Sequence, residues 1–175
     1  MTRILVDTNV IIDLLAKRKE FYRNSMQLFS LADRREMQLI ISTMTIANTY
    51  YLLNDVMKMK EARAIIRKFK VLVESYALND KIVDLALNDK SFKDFEDGIQ
   101  YYTALEANCT AIITRNSKDY KQSSIPVFQP KEFLIKVLNN LTYQKIIYCY
   151  LSNVYNAGMQ LIMSNCNFTQ ITLGN

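Results

Sequence analysis

Short apolar runs alternate along the chain with stretches in which apolar residues recur every three or four positions. Four runs have the length and composition of buried strands: residues 4–6, 39–41, 71–73 and 111–114. Residues 126–128 have the pattern of a short edge strand. Strands without a polar face are typical of parallel sheets that helices cover on both faces, so the pattern predicts an α/β fold.

The segments between these runs have the periodicity of amphipathic helices. They are residues 10–15, 21–35, 43–53, 58–70, 79–87, 94–107 and 130–138. We expect Thr8 or Asn9 to cap the first helix, and Ser42 with Thr43 to cap the third, because short polar side chains satisfy the free N–H groups of a first turn.

The composition changes near residue 140. Residues 141–175 contain one charged residue, Lys145, whereas the first 140 residues hold the other 21 basic and all 17 acidic residues. The change predicts a catalytic domain over residues 1–140 and an atypical C-terminal extension over residues 141–175. The role of the extension is unknown, and we expect it to be dispensable for chemistry.

The composition excludes several classes of catalytic site. Histidine is absent, which removes serine and cysteine triads, histidine acid–base chemistry and the usual zinc sites. No P-loop and no dinucleotide-binding glycine pattern occurs. Hydrolytic chemistry in this chain therefore depends on carboxylates, with a metal ion. The net charge of +5 permits a polyanionic partner without demonstrating one.

The expected compartment follows from the cysteines and the apolar runs. The three cysteines are odd in number and far apart, as suits a reducing compartment rather than a disulfide framework. The apolar run at the start is far too short for a signal peptide, and no stretch reaches the roughly 18 apolar residues of a membrane span. We expect a soluble, cytoplasmic protein.

Three aspartates lie where a parallel sheet would bring distant segments together. Asp7 ends the first strand, Asp119 follows the fourth, and Asp97 lies in the first turn of a helix. Because sites in such sheets lie beyond the carboxyl ends of the strands, we expect these residues to converge. Converging carboxylates repel one another unless a divalent cation binds, and oxygen ligands favour Mg²⁺ or Mn²⁺. A helix cap, helix-dipole complementation and a turn are the respective structural alternatives.

Three motifs carry a resemblance to a known family. The sequence ILVDTNVIID (residues 4–13) resembles the opening of PIN-domain proteins, especially the VapC-like toxins of bacterial toxin–antitoxin pairs. Residues 94–106, which begin DFEDGIQ and end ALE, are similar to the third family motif. Residues 112–120, IITRNSKDY, are similar to the fourth. The resemblance covers roughly residues 3–138.

The resemblance implies a fold and an activity. The fold would be a three-layer α/β/α sandwich with a central parallel sheet. The activity would be Mg²⁺- or Mn²⁺-dependent endoribonuclease cleavage, in which a metal-activated water attacks the phosphodiester. Asp7, Asp97 and Asp119 would be the catalytic residues that hold the metal.

The resemblance also implies supporting residues and partners. Asn9 and Thr114 would orient the site, and Asn116 would add a ligand or a contact behind the ligands. Arg115 and nearby lysines would hold substrate phosphates. RNA would be the substrate, and a cognate antitoxin and a second copy of the chain would be the protein partners.

One position departs from the family pattern. The family usually places a glutamate on the helix after the second strand, where this chain has Asn48. An amide oxygen can still ligate a metal, but it brings no charge. Asp94 or Glu96 could offset the loss, although helical spacing directs Glu96 away from the face that Asp94 and Asp97 share.

Two alternative functions remain. With Asn48 in place of an acid, the domain could be a catalytically weak or inactive PIN-like module that binds RNA or protein. A phosphatase of the haloacid-dehalogenase type also begins with an aspartate after the first strand, but it needs a second aspartate two residues later. Asn9 stands there instead.

Overall fold

The computed structural model describes residues 1–138, within which Met1–Leu134 form one compact unit. The predicted boundary at residue 140 and the extension over 141–175 lie outside the described residues, so that division of the chain stays a prediction. In the described part of the chain, no helix has both the length and the apolar character needed to cross a membrane.

The centre of the fold is a five-stranded sheet in which every pair of neighbouring strands is parallel. The strands are β1 (Arg3–Val6), β2 (Gln38–Ser42), β3 (Glu74–Tyr76), β4 (Ala111–Ile113) and β5 (Val127–Phe128). Their order across the sheet is β3-β2-β1-β4-β5. The parallel sheet that the apolar runs predicted is confirmed.

Within residues 1–138, seven α-helices accompany the sheet. They are α1 (Thr8–Leu15), α2 (Tyr22–Asp33), α3 (Thr43–Tyr51), α4 (Ala62–Phe69), α5 (Asp80–Asn88), α6 (Phe95–Glu106) and α7 (Pro130–Leu138). The expected cap of α3 is confirmed, because the Ser42 hydroxyl accepts a hydrogen bond of 3.0 Å from the backbone N–H of Thr45.

Both faces of the sheet are buried, as a three-layer α/β/α sandwich requires. On one face, Leu5, Ile40 and Ile112 pack with the α6 residues Tyr101 and Ala104. Side chains alternate between the faces along a strand. The neighbours that point the other way (Ile4, Leu39, Ile41 and Ile113) are equally buried. Helices therefore cover the sheet on both sides, and the predicted fold class is confirmed.

The predicted third strand at residues 71–73 is wrong. Lys70–Leu72 form a 3-10 turn that continues α4, and β3 begins only at Glu74. Phe69 and Leu72, three positions apart, are both buried, whereas Val71 is 78% exposed. The run therefore has the burial period of a helix, which three apolar residues alone cannot distinguish from a strand. As an edge strand, β3 tolerates its polar, half-buried residues.

The helix predicted over residues 58–70 is shorter than expected. A π-helical turn, Leu52–Val56, follows α3, and α4 starts only at Ala62. Lys58 and Glu61 between them have φ angles of 55° and 65°. Left-handed backbone at these two positions interrupts the helix, although the charge pattern of the segment continues through them.

The sheet order brings two loops to one edge. β1 and β4 are neighbours at the centre, with Val6 paired to Ile113. The pairing continues past the end of β1, because the backbone N–H of Asp7 donates a hydrogen bond of 3.0 Å to the Ile113 carbonyl. Asp7 therefore stands next to Thr114, the residue that follows β4.

A buried ion-pair cluster links α1 to the loop after β4. The Asp13 side chain is fully buried, with Arg115 Nε 3.2 Å from Oδ2 and Arg18 Nη1 3.6 Å from Oδ1. The Arg115 guanidinium also lies over the Phe21 ring, 4.5 Å from its centre. Burial raises the pKa of Asp13, and the two arginines oppose that rise. The cluster holds the loop that follows β4 against the first helix.

The stability of this cluster can be tested with Arg115→Met. The variant keeps an apolar stem against Phe21 but leaves the buried Asp13 with the more distant Arg18 alone. We expect the free energy of unfolding in urea to fall by about 2–3 kcal/mol. In an Asp13→Asn background the same change should cost less than about 1 kcal/mol, because the buried charge is gone. Equal losses in both backgrounds would show that the ion pair is not responsible.

Candidate active site

Asp7 is the most deeply placed acid at this edge of the sheet. Its side chain is 7% exposed, and Oδ2 accepts hydrogen bonds from the Thr114 hydroxyl (2.6 Å) and from the Asn9 amide. Burial raises the pKa of Asp7; the Thr114 hydrogen bond opposes the rise, and the negative charge of Glu96 adds to it. The carboxylate is therefore held firmly in place while its charge remains unneutralised.

Asn9 and Thr114 also fix the loop that follows β4. The Thr114 hydroxyl accepts hydrogen bonds from the Asn9 amide (3.1 Å) and from the backbone N–H of Asn116 (3.0 Å). Asn9 Oδ1 accepts one from the backbone N–H of Arg115 (3.1 Å). Both residues thus connect the end of β1 to the end of β4, as expected of residues that orient the site.

The expected cap of α1 is wrong. Asp7, rather than Thr8 or Asn9, occupies the N-cap position, and its side chain makes no capping hydrogen bond. The three side chains are used elsewhere: the Asp7 carboxylate binds Thr114 and Asn9, and the Thr8 hydroxyl donates to Glu96. These side chains form hydrogen bonds to residues of other elements, so they do not form the capping bonds that the sequence pattern predicts.

Asp97 is half-buried in the first turn of α6 and is paired with a tyrosine. The Tyr120 hydroxyl donates a hydrogen bond of 3.1 Å to Asp97 Oδ1. Burial raises the pKa of Asp97 to about 6; the Tyr120 hydrogen bond opposes this, and the charges of Asp7, Asp94 and Asp119 add to it. Asp97 therefore lies within electrostatic reach of both other predicted metal-binding aspartates.

Tyr120 was missing from the predicted set of site residues. It is 2% exposed, and burial together with the nearby negative charges of Asp7, Asp97 and Glu96 raises its pKa. Its hydroxyl therefore stays protonated and serves as a hydrogen-bond donor. The sequence carried one signal for it, namely an aromatic residue directly after Asp119.

Asp119 and Asn116 lie at the exposed side of the site. Asp119 belongs to a single 3-10 turn, Ser117–Tyr120, and Asn116 precedes that turn. Both side chains are exposed. The negative charge of Asp119 helps to raise the pKa of Asp97. The backbone N–H of Asn116 donates a hydrogen bond to the Thr114 hydroxyl, and the Asn116 side chain has no described role in the site. The hypothesis that Asp119 and Asn116 are ligands stays a prediction.

Asp94 serves the helix itself. Its Oδ1 accepts a hydrogen bond of 2.7 Å from the backbone N–H of Glu96, which makes Asp94 the N-cap of α6. The side chain is exposed, and it acts on Asp97 only through its charge. Its supporting role is that of an N-cap, which fixes where the first turn of α6 begins.

Glu96 points into the site, contrary to the orientation inferred from helical spacing. Its Oε1 accepts hydrogen bonds from the Asn48 amide (2.7 Å) and from the Thr8 hydroxyl (3.3 Å). Side chains on the first turn of α6 thus face two directions, since Asp97 binds Tyr120 while Glu96 reaches α1 and α3. An ideal helical wheel does not predict the orientation of Glu96. At the end of a helix, neighbouring elements can lie on more than one side, so residues on different faces can both be directed into the protein.

The remaining two predicted supporting residues, Asn48 and Arg115, are placed differently. Asn48 is a hydrogen-bond donor to Glu96. Arg115 is engaged with Asp13 and Phe21, so its expected contact with substrate phosphates would have to compete with those interactions. Lys118, in the exposed loop beside Asp119, is free of that competition with Asp13 and is the stronger candidate for a phosphate contact.

The chemistry of the donors fits a hard divalent cation. Asp7, Glu96, Asp97 and Asp119 offer carboxylate oxygens. The charge of Glu96 disfavours ionisation of Asp7, and the charges of Asp7 and Asp119 disfavour ionisation of Asp97, which is the condition a cation relieves. Among residues 1–138, no three or more cysteine or acidic side chains lie close enough together to hold a metal ion by themselves. An open arrangement suits Mg²⁺, which keeps several waters and uses one or two carboxylates together with substrate phosphates.

Comparison with known proteins identifies the family. The sequence matches the PIN domain family over residues 3–118. It is 28% identical over 134 residues to ribonuclease VapC1 of Aquifex aeolicus strain VF5, covering 75% of this chain and 92% of the relative.

Solved structures show the same fold at low identity. A toxin–antitoxin complex from Klebsiella pneumoniae has a chain that is 24% identical, with a TM-score of 0.54, covering 73% of this chain and 97% of its own. DNA-bound VapBC from Salmonella typhimurium gives 14% identity and a TM-score of 0.59, covering 74% and 99%. At these identities the likeness establishes the fold alone.

The pKa of Asp97 predicts a pH-dependent effect on stability in metal-free protein. Its value of about 6 in the folded state exceeds its ordinary value of 3.8, so the folded state binds more protons between these pH values. The ionised Asp97 therefore costs stability that is regained as the pH falls from about 6 to 4. We expect Asp97→Asn to raise the free energy of unfolding by about 1–2 kcal/mol at pH 7.5 and hardly at all at pH 4.

Denaturant unfolding in EDTA at both pH values measures this difference. Asp84→Asn, an exposed change on α5, is the matched control and should stay within about 0.5 kcal/mol of wild type at either pH. A gain from Asp97→Asn that is the same at pH 4 and pH 7.5 would contradict the assignment of the charge penalty to this carboxylate.

Proposed function

Because this chain belongs to the PIN domain family, we propose that it is a metal-dependent endoribonuclease, the toxin of a bacterial toxin–antitoxin pair. The observation that carries the proposal is the group of mutually repelling carboxylates, Asp7, Glu96 and Asp97, held by neutral donors at the carboxyl edge of the sheet. Such a group is costly without a cation and useful with one. The similarity to a protein named as a ribonuclease gives the substrate class.

The residues that would hold the cation are Asp7 and Asp97, with Asp119 at the exposed side. When bound, Mg²⁺ or Mn²⁺ would activate a water molecule and stabilise the charge on the leaving oxygen of the phosphodiester. The chain itself supplies orientation: Thr114 and Asn9 fix one oxygen of Asp7, and Tyr120 fixes one oxygen of Asp97. Fixed carboxylates avoid reorganisation during the reaction, which is the main advantage of a preorganised site.

Substrate binding would depend on the exposed loop after β4. Asp119, Lys118 and Asn116 are exposed there, next to the buried acids. Lys118, at the exposed side of the site, could contact a phosphate group of the RNA. The acids would at the same time hold the cation close to the phosphodiester. The net charge of +5 limits the repulsion between RNA and a site rich in carboxylates.

The proposal includes protein partners and a compartment. Several structures with this fold are named as VapBC or toxin–antitoxin assemblies, and these names support a cognate antitoxin as a partner of this chain. A homodimer is proposed from the family resemblance alone. The cytoplasm, where RNA and a reducing environment coexist, is the expected site of action.

The alternative is a PIN-like module that binds RNA or protein and cleaves slowly or not at all. The observation that favours it is Asn48, an uncharged residue at a position where the family carries an acid. The nuclease and the binding module differ in their need for a metal. Cleavage needs a metal-activated water, whereas binding of RNA or protein without cleavage does not.

Cleavage of a labelled RNA pool by the full chain, with Mn²⁺ or with EDTA, tests the proposed activity. We expect cleavage only with Mn²⁺ and a loss of at least roughly a hundredfold in rate for Asp7→Asn. The asparagine keeps an oxygen to accept the Thr114 hydrogen bond, so charge is removed with little change in shape. Asp84→Asn, which removes one charge far from the site, should cleave as wild type does.

The same reactions separate the alternatives. RNA that is retained in a gel-shift assay but stays intact with Mn²⁺ would establish the binding module and contradict the nuclease. Cleavage that Asp7→Asn leaves unchanged would locate the activity outside this site or in a contaminant.

A further inference from the structure

The environment of Glu96 shows that this side chain has a role beyond its helix. Asp94 already caps α6, since its carboxylate accepts the hydrogen bond from the backbone N–H of Glu96. The Glu96 side chain is therefore not needed for capping. It turns inwards instead, although an acid in the first turn of a helix is equally well stabilised when it faces solvent.

Two other elements hold Glu96 in that inward position. Asn48 on α3 donates its amide hydrogen bond at 2.7 Å, and Thr8 on α1 donates its hydroxyl at 3.3 Å. Both bonds end on Oε1. Oε2 is left without a donor from these residues and can serve as a metal ligand.

The charge of Glu96 acts on the same centre as that of Asp7. Its negative charge destabilises the Asp7 carboxylate and the ionised form of Tyr120. Neither Asn48 nor Thr8 neutralises Glu96, because both are uncharged donors. Two hydrogen bonds thus hold an acid where its charge disfavours ionisation of Asp7, an arrangement that a bound cation would relieve.

The 2.7 Å contact also explains why residue 48 is an amide. A carboxylate at position 48 would face the Glu96 carboxylate across that distance, and two like charges so close cannot both stay ionised. An asparagine converts the repulsion into a hydrogen bond. Only one of the two positions can therefore carry the acid.

We propose that Glu96 supplies the carboxylate that a divalent cation uses on the α3 side of the site, and that Asn48 is the positioning residue that holds it there. This inference rests on the proposed function. It makes Asn48 the partner of an acid supplied by α6 rather than the mark of an inactive site.

Direct binding of Mn²⁺ to the full chain tests the role of Glu96. Isothermal titration calorimetry and the loss of the free Mn²⁺ electron paramagnetic resonance signal both report binding without any substrate. We expect Glu96→Gln to weaken binding roughly ten- to hundredfold. The glutamine still accepts the Asn48 hydrogen bond, and thermal unfolding in EDTA should show that the fold is retained. Asp84→Asn, with the same change in net charge, should bind as wild type does.

Exchanging the amide and the carboxylate between positions 48 and 96 tests the role of Asn48. The double variant Asn48→Asp with Glu96→Gln keeps the size, the hydrogen bond and the net charge of the pair, and it moves the acid to α3. We expect it to recover Mn²⁺ binding to within about threefold of wild type. A double variant that binds no better than Glu96→Gln would overturn the claim that the two positions exchange one acid.

The outcomes keep this inference separate from the proposed function. If wild type binds Mn²⁺, Asp97→Asn abolishes binding and Glu96→Gln binds as wild type does, the inference about Glu96 fails while the metal site stands. If wild type shows no Mn²⁺ binding by either method, the metal-dependent function fails and the inference fails with it.

Discussion

The constraint on which the rest of the structure depends is the repulsion among carboxylates confined to one edge of the sheet. Asp7 is almost fully buried, and Asp97 is half-buried within reach of its charge. Glu96 adds a further negative charge next to Asp7. Burial and like charge both disfavour ionisation, so the folded chain stores unfavourable energy at the point where chemistry would take place.

The neighbouring side chains hold these acids without neutralising them. Thr114, Asn9, Tyr120 and Asn48 are all uncharged donors, and each binds a carboxylate oxygen of the group. Arg115, which directly follows Thr114 in the chain, turns to the buried Asp13 instead. These donors thus orient the acids without cancelling their negative charge, which is the arrangement that the proposed divalent cation would need.

The hydrogen bond from Asn48 to Glu96 changes how the asparagine at position 48 is interpreted. Read alone, an amide where relatives of the family carry an acid suggests a weakened metal site. Read with Glu96 at 2.7 Å, it is the partner that allows an acid on α6 to lie inside the site. Asn48 and Glu96 are therefore best understood as one hydrogen-bonded pair.

The sequence by itself determined the parallel α/β architecture and the sheet edge at which the candidate site lies. Short apolar runs such as residues 4–6 and 111–113 have no polar face, and polar residues follow them directly, so burial and strand direction could be predicted from residue order alone. Local periodicity was insufficient to assign residues 71–73, because three consecutive apolar residues are compatible with both the end of a helix and a strand. It was also insufficient at Lys58 and Glu61, because left-handed backbone has no signature in a charge pattern.

Only the tertiary structure decided which way the polar side chains of the site turn. The Asp7 side chain binds Thr114 instead of capping α1, Arg115 pairs with Asp13, and Glu96 turns inwards to Asn48. In each case the partner is more than 40 residues away in the sequence. Such a partner is absent from any local window of the sequence. The sequence therefore names the groups that can react, and the packing of α1, α3 and α6 around the sheet edge decides their partners.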